Sequence, residues 1–142
     1  MSHFFTLDEA NTLIPLLEEL LSRIQIKDRQ YRRHHEQLLM VELVSSQGSG
    51  RQNLVEAPGY LEKSCVLDQL VASLEEDWNQ LSQREIMVRD LELGWVDIPF
   101  LQGGEQGYLS WKRGEKACRF WHGWNENYRI RQPLDVNIER CS

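Results

Sequence analysis

Apolar residues recur at Ala10, Leu13, Ile14, Leu17, Leu20, Leu21 and Ile24, and the stripe continues through Tyr31 to Leu38 and Leu39. Intervals of three and four residues are the period of a helix with one buried face. Thr6-Leu7-Asp8-Glu9 supplies its start as a capping box. The Thr6 hydroxyl can accept from the Glu9 amide while the Glu9 carboxylate accepts from the Thr6 amide. The spacing predicts a helix over 6–46, with a kink or restart near Thr12 to Ile14 because Pro15 lacks an amide donor. A second stripe, Leu67, Leu70, Val71, Leu74, Trp78, Leu81 and Val88, stands opposite Glu75, Glu76, Asp77, Asn79 and Gln80 and predicts a helix over 61–88. Ser45-Ser46-Gln47-Gly48-Ser49-Gly50 and on to Pro58-Gly59 reads as a solvated linker, and the two helices are expected to pair as a long antiparallel hairpin. Doublets at Leu13/Ile14, Leu16/Leu17 and Leu20/Leu21 widen the first apolar band beyond what one helix covers, so a sheet or a second copy must take the rest.

From Asp90 the period changes, and four of the five tryptophans (Trp95, Trp111, Trp121 and Trp124) crowd together, which is strand chemistry. Gly103-Gly104 and Gly114-Glu115 suit tight hairpin turns between three runs, because glycine accepts positive φ at little steric cost. The expectation is a three-stranded antiparallel meander over 95–122 followed by an extended tail over 123–142. Those turns set cross-strand rows Val96/Trp111/Cys118 and Ile98/Leu109/Phe120 on a helix-facing side, with Asp97/Ser110/Arg119 and Pro99/Tyr108/Trp121 on the other. In this register Asp97 and Arg119 form an ion pair across Ser110, and His122 lies on the helix-facing side beside Gly107. The fold class is α+β: a helical hairpin packed on a three-stranded meander, as one domain over 1–142.

The 142 residues, 41% hydrophobic and 27% charged, fit one soluble globular domain. No apolar run reaches the roughly 20 residues of a membrane span, so a cytoplasmic protein that avoids membranes is expected. The net charge of −6 argues against broad nucleic-acid binding. Cys65, Cys118 and Cys141 are too widely spaced for a disulfide framework or a CxxC zinc site, and reduced thiols are expected.

Several segments resemble one family. Asp90-Leu91-Glu92-Leu93-Gly94-Trp95-Val96-Asp97-Ile98-Pro99, Tyr108-Leu109-Ser110-Trp111-Lys112-Arg113-Gly114-Glu115, Trp121-His122, Arg131-Gln132-Pro133-Leu134 and the opening Phe5-Thr6-Leu7-Asp8-Glu9-Ala10-Asn11 together are similar to the prokaryotic domain-of-unknown-function family twenty-two-oh-three. The likeness spans nearly the whole chain. Ser110 stands where a Cys is associated with the family, and Asn127-Tyr128-Arg129-Ile130 replaces a more glycine-rich approach to Arg131. The resemblance implies a fold and no particular reaction.

Asp97, Glu115 and His122 are metal-ligand types, but the register separates them, so no metal and no cofactor is expected. No nucleophile motif accompanies His122, no Lys-Ser/Thr follows Gly48-Ser49-Gly50 to make a phosphate loop, and His34 and His35 diverge on their helix. Residues 106–132 hold six basic groups against two acidic ones, a net of +4 that leaves −10 for the rest. That polarity predicts a self-associating interaction or binding module, a homo-oligomer, and leans against an enzyme. The alternative is a small-molecule enzyme or sensor that holds a small anionic ligand around Asp97, Arg119, Trp121, His122 and Arg131. For Arg131 the expected role is structural, pairing with an acidic residue such as Asp97 to tether the tail.

Overall fold

In the computed structural model, residues 3–48 and 59–134 are described. Two helices precede an antiparallel sheet of five strands: α1 (Leu7–Gly48), α2 (Tyr60–Ser82), β1 (Met87–Asp90), β2 (Trp95–Gln102), β3 (Glu105–Lys112), β4 (Phe120–Gly123) and β5 (Gln132–Pro133), in spatial order β1 to β5. The capping box forms as its residue types require, with Thr6 N–H donating to Glu9 Oε1 at 2.9 Å and Glu9 N–H to Thr6 Oγ1 at 3.1 Å. The hydrogen bonds from Thr6 hold the Glu9 carboxyl below its ordinary range. α1 then runs through Pro15 without a restart.

Contacts divide the chain into two compact units. One comprises Ile24–Trp78, the C-terminal part of α1 and most of α2. Within it Lys27 Nζ donates to Asp77 Oδ2 at 2.7 Å, so residues near the two ends of the unit meet and the chain doubles back as a hairpin. Five of its exposed apolar residues, Leu39, Met40, Leu43, Val44 and Leu61, lie late in α1 and early in α2, and Ile26 and Val71 are exposed elsewhere in it.

The other unit comprises the chain up to Arg23 and from Asn79 onward. Ala10, Leu17, Leu20 and Leu21 of α1 are fully buried there with Val96, Ile98, Leu109 and Trp111 of one sheet face. The doublet-rich band of α1 is therefore largely covered within the chain, with Leu13, Ile14 and Leu16 half-buried. Phe5 bridges to β2 through its amide on the Pro99 carbonyl at 2.8 Å, and Asn11 Oδ1 accepts the Cys118 amide at 2.7 Å. These contacts tie the start of α1 to the sheet and to the segment after β3.

The β2–β3 register is the one that the Gly103-Gly104 turn predicts: Val96 faces Trp111, Asp97 faces Ser110, Ile98 faces Leu109 and Pro99 faces Tyr108. Three expectations are corrected. The second helix stops at Ser82, where Ile86 N–H reaches back to the Leu81 carbonyl at 3.0 Å and Glu85 N–H to the Ser82 carbonyl at 2.9 Å. Residues 87–90, including Val88 of the apparent stripe, pair with β2 as a new edge strand.

Second, Gly114-Glu115 is not a two-residue hairpin. Glu115 N–H turns back to the Lys112 carbonyl, but the chain continues irregularly to Arg119, and β4 begins only at Phe120. Ser110 therefore faces Phe120, Leu109 faces Trp121 and Tyr108 faces His122. A slip of one residue exchanges the two faces of a strand. Phe120 and His122 thus join the Asp97 side, Trp121 moves to the opposite side, and Arg119 is exposed ahead of the strand.

Third, the meander has five strands rather than three. The tail supplies the last, with Phe120 opposite Pro133 and Trp121 opposite Gln132, and Leu134 N–H donates to the Arg119 carbonyl at 2.8 Å. Residues 135–142 of the expected tail and most of the 45–60 connection lie outside the described residues.

Candidate functional site

Strand alternation puts Trp95, Asp97 and Pro99 of β2 on one face with Tyr108, Ser110 and Lys112 of β3 and Phe120 and His122 of β4. This face is polar at its centre, yet Asp97, Ser110 and His122 are 0–1% exposed. Burying a carboxylate is costly unless a charged partner accompanies it. That partner is Arg89, whose Nε donates to Asp97 Oδ2 at 2.6 Å from β1. The expected Asp97–Arg119 pair is thus replaced: the one-residue shift removes Arg119, and the unforeseen edge strand delivers Arg89.

His122 stands beside the same carboxylate oxygen, with Nε2 2.9 Å from Asp97 Oδ2. The approach is out of line for a hydrogen bond, and Nε2 and Asp97 Oδ1 are both buried without a partner. The other ring nitrogen, Nδ1, lies 2.8 Å from the Gly123 carbonyl. A carbonyl oxygen only accepts, so Nδ1 carries the proton there. The Tyr108 ring lies 5.4 Å from the imidazole and 5.7 Å from the Arg89 guanidinium carbon, and so packs against both.

A second cluster surrounds Trp95. Its Nε1–H donates to Ser110 Oγ at 2.7 Å, Tyr128 meets its ring edge-on at 4.9 Å, and Lys112 Nζ sits 4.0 Å from the ring centre. Arg131 stacks between Trp95 and Phe120, its guanidinium carbon 5.3 and 4.1 Å from the two rings. Both of its terminal nitrogens grip Glu115, at 3.0 and 2.7 Å. The tethering role expected of Arg131 has this geometry, with Glu115 as partner in place of Asp97. Burial tends to raise the Glu115 carboxyl, but the Arg131 hydrogen bonds, the Lys112 amide and the neighbouring positive charges together hold it below its ordinary range.

Beside Tyr108 a cleft of about 410 Å³ opens, lined chiefly by Phe4, Glu85, Met87, Pro99, Tyr108 and Trp124. Trp124 is 66% exposed. Glu85 holds its position with φ of 58°, a left-handed conformation that helix ends usually give to glycine. Its Oε2 accepts the His3 amide at 3.1 Å.

Of the five candidate residues, Asp97 and His122 meet, and Arg131 lies on the same face at the Trp95 cluster. Trp121 and Arg119 do not join them. Among the described residues no group of three or more His, Cys, Asp or Glu is placed to hold a metal ion. Cys118 is buried on the helix side, where burial, and then the Glu115 charge, push its thiol up to about 12. Sequence reasoning missed Arg89 because Val88 extended the apparent helical stripe over the β1 strand. The closely spaced β-branched residues Ile86 and Val88 were the available signal.

An antiparallel five-stranded sheet with two preceding helices, and a buried Asp97–His122 pair met by the exposed Arg89 on the sheet, defines an α+β protein with a polar site on one sheet face. The family described as uncharacterized conserved protein (DUF2203) matches residues 3–134, and the chain belongs to it. No curated protein and no solved structure matches the chain. No helix among the described residues is long and apolar enough to cross a membrane.

Proposed function

We propose that the chain is a cytoplasmic binding module that takes a small molecule at the cleft beside Tyr108. The observation that carries this reading is the fully buried Asp97 Oδ1, which has no hydrogen-bond partner, beside the His122 ring on the strand face that Tyr108 shares. Unsatisfied buried polar groups are costly and are retained where something else is gained from them. Tyr108 links the cleft to the fixed Arg89–Asp97–His122 group, its ring 5.4 Å from the His122 ring and 5.7 Å from the Arg89 guanidinium carbon, and Trp124 adds a second aromatic wall.

Binding is favoured over covalent catalysis because the nucleophile types nearby are occupied or inert. Ser110 Oγ accepts from Trp95, and the Cys118 thiol stays protonated at neutral pH. Arg89, Arg113 and Arg131 each pair with a carboxylate, Asp97, Glu18 and Glu115 respectively, which weakens the attraction of this end for a small anion. The unbridged Cys65 and Cys118 agree with a reducing compartment.

A thermal-shift screen of metabolites tests the reading, since a ligand of the native state raises the melting temperature with its concentration. A hit whose effect disappears in Trp124→Ala supports it; hits that Trp124→Ala leaves unchanged contradict it.

A second reading, self-association through the helical unit, is favoured by the exposed Leu39, Met40, Leu43, Val44 and Leu61. Sedimentation at tens of micromolar should then find an oligomer that Leu43→Glu dissociates. A monomeric mass at that concentration would contradict it.

A further inference from the structure

The cleft beside Tyr108 combines aromatic and acidic lining groups. Glu85 is its charged lining residue, and none of the described residues that line it is Lys, Arg or His. Phe4, Tyr108 and Trp124 bring aromatic surface from three separate places in the chain. We propose that this cleft binds a small organic cation, an alkylated ammonium whose charge pairs with the Glu85 carboxylate and whose alkyl groups lie against Trp124, Tyr108 and Phe4. This deepens the small-molecule reading above and rests on it.

Three observations converge. Aromatic rings attract cations through the negative potential of their faces, and alkylated ammonium groups, which hydrate weakly, gain most. Tyr108 already has the Arg89 guanidinium 5.7 Å from its ring centre, so its setting accepts such a charge. Arg89 is itself matched by Asp97, which limits repulsion toward a second cation.

Glu85 is the independent indication. Its φ of 58° places a side chain where glycine would close the helix without strain. The Ile86-to-Leu81 and Glu85-to-Ser82 backbone bonds that close α2 need no side chain at position 85. The carboxylate therefore answers to something other than the helix end. The His3 amide engages Oε2 alone, which leaves Oε1 for a ligand.

The experiment titrates the full chain with choline chloride, with its uncharged carbon isostere dimethylbutanol, and with inorganic phosphate. Trp fluorescence and the amide resonances of Gln106, Tyr108 and Trp124 are the readout. Choline is expected to saturate in the millimolar range, dimethylbutanol to bind about tenfold more weakly or worse, and phosphate to leave the spectra unchanged. Glu85→Gln should weaken choline by about tenfold. Glu85→Gly removes the carboxylate and relieves the backbone, so it should melt no lower than the parent and also lose choline.

Equal affinity for choline and dimethylbutanol, an unchanged choline affinity in Glu85→Gln, or stronger binding of phosphate would each overturn the inference. If the neutral isostere shifts these same resonances with the affinity of choline, or phosphate shifts them more strongly, the small-molecule reading stands without the cation. If none of the three probes shifts them, the cation inference fails, and the metabolite screen then decides the broader reading by itself.

Discussion

Replacing Arg131 with Ala removes two charge-assisted hydrogen bonds to Glu115 and a guanidinium stacked between Phe120 and Trp95. The side chains are 14% and 25% exposed, so water screens the pair less than it would a surface ion pair. A hydrogen-bonded charge pair contributes about 1.5–3 kcal/mol, and a cation over an aromatic ring about 0.5–1 kcal/mol. Partial exposure and the Lys112 amide, which still serves Glu115 Oε1 in the variant, reduce the total to about 2–3 kcal/mol. For a chain of this size that corresponds to a fall of about 6–9 °C in melting temperature. The Glu115 carboxyl is held below its ordinary 4.5. Its stabilisation is fully present above that value and is lost as pH falls through the lower folded-state value. The gap between parent and Arg131→Ala should therefore be widest near neutral pH and narrow below pH 4.5. Calorimetry across this range, with Arg131→Lys to separate charge from the two-pronged grip, measures both effects. A variant melting within a degree of the parent at pH 7, or a gap that grows with acid, would refute the reasoning.

Other substitutions and labels probe separate parts of the structure. Gly107→Ala should destabilise by about 1–3 kcal/mol, read by denaturant unfolding, because the added Cβ would lie 2.8 Å from the His122 carbonyl oxygen, which is backbone and yields little. Alkylation of the native protein at pH 8 should mark exposed Cys65 and leave Cys118 intact by peptide mapping, since a thiol pushed up to about 12 holds about one thiolate in ten thousand at that pH. Trp95→Phe should lower the melting temperature by a few degrees, because it leaves the buried Ser110 hydroxyl without the indole N–H at 2.7 Å.

The helical pattern and one hairpin were legible in the sequence, because both are local. The Thr6–Glu9 box and the run of apolar positions mark α1 to within two residues, and Gly103-Gly104 imposes the β2–β3 register. The β3–β4 register was not legible, although Gly114 has the positive φ, 99°, that suggested a turn. Long-range contacts hold this segment. Glu18 accepts from the Gly114 amide and Asn11 from the Cys118 amide, and within the segment the Glu115 carbonyl accepts from the Trp111 indole. A turn rule that reads four consecutive residues misses partners about a hundred positions away. The resulting one-residue error separated Asp97 from His122 and sent each to a different face. The Glu115–Arg131 pair was hidden for the same reason: its partners lie 16 residues apart and are brought together by the pairing of β4 with β5.

A small molecule is proposed to bind beside Tyr108, whose ring packs against His122. The most direct test of that binding is a set of nitrogen–proton correlation spectra, covering amides and histidine rings, recorded with and without the strongest hit of the metabolite screen. Saturable shifts are expected at Met87, Gln106, Tyr108 and Trp124 and, through the Tyr108 ring, at the His122 ring, with α1 beyond Arg23 unchanged. Shifts confined to the helical unit, or a hit that leaves the His122 ring and Tyr108 unmoved, would contradict the proposal.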